Sequence, residues 1–141
     1  MKHPLIHDFI SYLTSQGVSS SDLSFKEKED LSEIGFNQIA EDNCSYPVSM
    51  TFSGDGLVRI TISKAVHPHA NTNLLQQVNQ LNMMYCGVNF YCWDNVVTCK
   101  GLYPATHLGE ILLCLKDILK IVLEEFPQFK ATPSLKEKEQ N

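Results

Sequence analysis

The 141 residues include 11 Lys and Arg against 16 Asp and Glu, giving a formal net charge of −5 at pH 7, and 43% of them are apolar. A chain of that length suits one domain of about 150 residues with a real core, which excludes two full domains, wholesale disorder and a collagen-like repeat. The negative balance opposes a counterion-release grip on phosphates, so no direct nucleic-acid ligand is expected.

Leu5, Ile6, Phe9, Ile10 and Leu13 recur at helical spacing and predict a first amphipathic helix over residues 4–16, with Gly17 where a C-terminal cap sits. His7 and Asp8 interrupt this apolar stretch, so neither a signal-peptide core nor a membrane span of roughly 18 residues can be drawn, and a cytoplasmic protein with no membrane partner is expected. Residues 18–33 hold a serine cluster and the charge run Lys26 to Asp30 with no sustained period, which reads as a loop with at most one helical turn.

From Gly35 the pattern turns to period two, with strands predicted over 36–41, 46–53 and 57–63. Val48, Met50 and Phe52 share one face, as do Val58, Ile60 and Ile62. Both sets meet one core only if paired residue numbers sum to an even value, Phe52 opposite Val58, and Gly54-Asp55-Gly56 is the odd-numbered loop this needs.

Asn71 or Thr72 can cap a second helix reaching Tyr85, with Leu74, Val78, Leu81 and Tyr85 in one stripe. Its other positions are amides and methionines, and no charged residue occurs from Asn71 to Tyr85. Two readings stand: a seam between helices, where an unpaired charge would be costly, or a polar, uncharged, solvated face. A second hairpin follows, Val88 to Trp93 and Val96 to Leu102, turning at Asp94-Asn95. Its parity sends Val88, Phe90, Cys92, Val97 and Cys99 to the core. Tyr91 and Trp93 then face solvent, a partner or a covering helix.

Residues 107–126 form the plainest helix, with a broad stripe from Leu108 through Ile111, Leu115 and Val122 to Phe126 and with Leu113 on the polar side. The domain is expected over 1–129, followed by a disordered tail over 130–141. The whole reads as a single α+β domain, α-β-β-β-α-β-β-α, an antiparallel sheet flanked by helices mainly on one face.

Signatures for phosphate loops, dinucleotide folds, hydrolase elbows, zinc proteases and EF-hands are all missing, so no catalytic residue, cofactor or metal is expected and nothing demands an enzyme. His67-Pro68-His69 is the best metal candidate, but two histidines flanking a proline make a poor chelate. His3, His7 and His107 read as surface or capping residues. Five cysteines (Cys44, Cys86, Cys92, Cys99, Cys114) without a Cys-x-x-Cys pair suggest reduced, mostly buried thiols, of which Cys44 is the most open to reaction.

The element order, the small acidic chain, the helix NTNLLQQVNQLN leading into the hairpin VNFYCWDNVVTCKGLY, and the helix HLGEILLCLKDILKIVLEEF together resemble a class I type III secretion chaperone. The YbjN-like family is similar over the same region, roughly residues 4–126. The resemblance implies a cytosolic, ATP-independent, dimerising chaperone that holds the amino-terminal part of a secreted effector protein in an export-competent state, as a homodimer or as a heterodimer with another chaperone. It further implies a dimer interface over Leu75, Gln76, Asn79, Gln80 and Met83 with Tyr91 and Trp93 nearby, and a client-binding surface of Phe9, Tyr12, Leu13, Phe36 and Ile39. The binding mode would be helix-in-groove and strand addition at a sheet edge. The alternative is a regulatory adaptor that binds a non-secreted protein such as a transcription component.

Overall fold

A computed structural model describes residues 3–39 and 45–131. Helix α1 (Ile6–Ser15) ends at Gly17, whose φ of +91° is the left-handed turn that glycine takes without steric cost. A short 3-10 turn (Ser20–Asp22) leads into β1 (Ser24–Glu27), followed by β2 (Leu31–Ile39), β3 (Ser45–Ser53) and β4 (Leu57–Ala65). Helix α2 (Leu74–Met84), the hairpin β5 (Val88–Trp93) and β6 (Val96–Pro104), and helix α3 (Leu108–Glu125) complete the order. The strands form one antiparallel sheet in the order β1-β2-β3-β4-β6-β5.

The α+β class is as expected, with one strand more than the sequence pattern announces. β1 lies inside the segment 18–33 read as a loop and runs into its charged stretch, and β2 begins at Leu31, five residues before the expected start. β1 pairs only with β2, Phe25 opposite Ile34, and all four of its residues are exposed. An edge strand bonds a neighbour on one side only and tolerates charges on both faces, which erases the alternation that betrays a strand.

In the β3–β4 hairpin Phe52 pairs with Val58 and Met50 with Ile60, the register the parity argument requires, and Gly56 supplies the positive φ. The β5–β6 turn is the two-residue type, with Asp94 and Asn95 both at positive φ.

All three helices pack on one face of the sheet. Phe9 of α1 meets Phe36 and Phe52 at 6.1 and 5.5 Å between ring centroids, α2 lies against β5, and α3 lies over β4 and β6. Ile111, Leu115, Ile118, Val122 and Phe126 face the core, Ile118 being one that the wheel reading passed over. His3 is also in this core, edge-on to Phe52, and not the surface residue expected; its Nδ1 accepts the Leu5 amide.

Asn71 does not cap α2 with its side chain. It is buried, accepts the Lys130 amide and donates to the Lys130 and His67 carbonyls, while His67 N–H also donates to Lys130 O at 2.7 Å. This clasp holds the chain after α3 to the loop before α2, so Lys130 is not part of a loose tail. The rest of the expected tail, from residue 132, lies outside the described residues, as does Cys44.

Candidate protein interface

Helix α2 has two unlike faces. Val78 and Leu81 are buried, and Tyr85 at its end stacks on Phe90 at 5.9 Å and donates its hydroxyl to Glu125 at 2.8 Å. That bond to a carboxylate, aided by burial, pushes the Tyr85 phenol up to about 12. On the other side Leu75, Asn79 and Met83 stand at successive i, i+4 positions with Gln76 and Gln80 beside them, all exposed. Leu75 is 66% exposed, Met83 86% and Met84 65%.

β5 is an edge strand, yet its edge is not open. Asn82 of α2 donates its amide to the Phe90 carbonyl at 2.7 Å and accepts the Phe90 N–H at 2.6 Å, as a neighbouring strand would do. Backbone groups alternate sides along an antiparallel strand, so Val88 and Cys92 direct theirs to this same edge. The amide at Phe90 sits between them and interrupts any strand that tries to pair there.

On the face away from the helices Tyr91 and Trp93 are exposed, Trp93 at 81%, and the Lys100 ammonium lies 5.8 Å from the Tyr91 ring. The structure therefore decides between the readings left open for these aromatics: among the described residues no helix covers them. The α2 outer face and the β5 aromatics lie at the same end of the sheet on its two opposite sides, and each carries large exposed apolar groups of the kind enriched in protein-binding sites.

The client surface needs correction. Phe9, Leu13 and Phe36 are core residues, so they offer nothing to a partner while α1 stays docked. Tyr12 is half-buried against Phe9, and the Ile39 side chain lies outside what the structure describes. Helical and strand periodicity identified the apolar face correctly; that face is filled by the molecule itself.

Three large exposed apolar residues are not singled out in the sequence reading, Phe25, Met84 and Leu102. Leu102 continues the parity of Thr98 and Lys100 along β6, and that signal was available.

The remaining chemistry is quiet. His67 Nδ1 accepts the His69 and Ala70 amides, and no group of three His, Cys, Asp or Glu among the described residues is placed to hold an ion. Cys99 is buried, which pushes its thiol up to about 12, whereas Cys86 is exposed rather than buried. His7 is exposed, and His107 pairs with Glu110 at 3.3 Å beside the start of α3. No described helix is long and apolar enough to cross a membrane.

No protein-family model matches the sequence, and no curated protein matches it either.

Proposed function

We propose that the chain is a cytosolic, ATP-independent chaperone of the class I type III secretion kind, which pairs through α2 and the β5 end of its sheet and shields part of a secreted effector protein. No step of this activity needs a catalytic residue, cofactor or metal. The observation that carries the reading is the outer face of α2, a helix without a single charge whose Leu75, Met83 and Met84 project into solvent. A solvated helix face usually carries Lys or Glu, and a face meant for burial against another protein omits them. The element order around it, with the Tyr91 and Trp93 hairpin next in sequence, also supports the reading.

The test is a light-scattering mass of the purified chain, together with affinity capture from its native cytosol. A dimer mass, or recovery of a sister chaperone and a secreted effector, is expected. Met83→Glu should weaken pairing about tenfold or more, because each copy would bury a charge in the seam. A monomer that captures only housekeeping regulators would replace this reading with the adaptor, and a dimer unaffected by Met83→Glu would move the seam off α2.

A further inference from the structure

We infer that the helix-free face of the sheet is a docking surface for an acidic, extended protein segment, held between Leu102 and Trp93. This inference rests on the reading of the chain as a protein-binding module; it assigns Trp93 to the docked segment and leaves the pairing seam to the outer face of α2.

The strand register maps this face. Across the sheet run Lys26, Glu33, Thr51, Arg59 and Leu102; in the next row are Gly35, Ser49, Thr61, Lys100 and Asn89; the third carries Asn37, Pro47, Ser63, Thr98 and Tyr91; and Trp93 stands beyond it opposite Val96. The central positions are short hydroxyl side chains: Thr98 is buried and bonded to Ser63 at 3.1 Å, while Ser49, Thr51 and Thr61 are accessible groups that can donate to a carboxylate.

Its charge runs against the rest of the molecule. The chain has a net charge of −5, yet on these rows the described residues are three cations, Lys26, Arg59 and Lys100, and one carboxylate, Glu33. Glu33 is already 3.4 Å from the Lys28 ammonium. Asp55, in the turn at the rim, accepts the Ser53 hydroxyl and the Leu57 N–H, bonds that hold its carboxyl below the usual range. Arg59 is exposed, is the one arginine of the chain, and has no ion-pair partner among the described residues. An acidic segment is repelled by the molecule as a whole and attracted at this face, which is how charge selects orientation and register.

Apolar anchors lie at both ends. Leu102 and Val96, the residue opposite Trp93, are six positions apart on β6, roughly 20 Å at the rise of a strand. A segment of about six extended residues spans that distance, with an apolar side chain at each end and carboxylates over Arg59 and Lys100.

Trp93 is the only tryptophan, so the protein carries its own reporter. The experiment is a fluorescence titration of the full chain with a short peptide of Asp and Leu interspersed with Ser and Gly, with the same peptide bearing Lys for Asp, and with oligouridine, the light-scattering mass being read on each sample. The acidic peptide should shift the Trp93 emission and bind about tenfold tighter than the Lys peptide, more weakly as salt rises. Joint substitution Arg59→Glu and Lys100→Glu should reverse that preference, and Arg59→Gln with Lys100→Gln should abolish it while leaving the fold, checked by circular dichroism, unchanged. Equal or better binding of the Lys peptide overturns the inference, as does oligouridine binding in preference or an unaffected double variant. A dimer mass with no peptide response ends this inference alone, whereas a peptide response from a monomer leaves it standing and ends the seam.

Discussion

Each edge strand of the sheet carries one phenylalanine on its helix-side face, and the two residues have opposite fates. Phe90 of β5 is 2% exposed beneath Tyr85, while Phe25 of β1 is 39% exposed with no helix packed against its strand. The backbones are protected differently as well. β1 is four residues long and charged, which discourages pairing by a foreign strand; β5 is uncharged, and its edge is occupied by the Asn82 amide. The comparison shows what lets the β5 end stay apolar: because a side chain and not charge guards that edge, the surface around it can be apolar without inviting strand-to-strand aggregation.

The largest expected effect breaks this comparison at its core. Phe90→Ala should cost about 3–5 kcal/mol, since it empties a closed site and loosens α2, whereas Phe25→Ala should cost about 1 kcal/mol or less. Urea unfolding of the two variants measures the difference, and equal losses would mean that β1 is covered in solution. Next is the guard itself. Asn82→Ala removes both bonds to Phe90 and should destabilise by about 1–3 kcal/mol, with a rise in concentration-dependent light scattering as the edge opens. Loss of stability without new scattering would show that the amide holds α2 and does not protect the edge.

The smallest effect sharpens the contrast by a site remote from either edge. Glu110 takes bonds from the Thr106 hydroxyl and backbone N–H at the start of α3, which hold its carboxyl below the usual range. A depressed carboxyl stabilises the fold above its ordinary pKa and loses that contribution as pH falls through the lowered value. Glu110→Gln should therefore lower the Tm slightly at neutral pH, and the gap between variant and parent should close as the pH falls below the ordinary range of a glutamate. A gap independent of pH would assign the effect to packing.

Much of this architecture could be read from spacing. The parity of apolar residues gave the β3–β4 register, and the two residues between Trp93 and Val96 gave the β5–β6 turn. The missing charges marked α2 and its methionines as unusual, and the family resemblance named Leu75 and Met83 on it, both of which are exposed. What stayed hidden has a common cause. Periodicity tells which side chains share a face but not what covers it, so nothing in the spacing opposed the resemblance when it assigned Phe9, Leu13 and Phe36, which are core, to a client surface. β1 was hidden because an edge strand needs no apolar alternation, and Asn71 because its partner, Lys130, lies 59 residues away.

That long-range clasp also bears on the timing of synthesis. The base of α2 is fastened by Asn71 and His67 only once Lys130 exists, 46 residues after Met84 (130 minus 84). At ribosomal rates this amounts to roughly 2–9 s during which α2 has been made but the clasp at its base has not. Until then the loop before α2 is unfastened, and substitutions at Asn71 should lower the yield of folded protein from cells more than they lower the stability of the protein once folded.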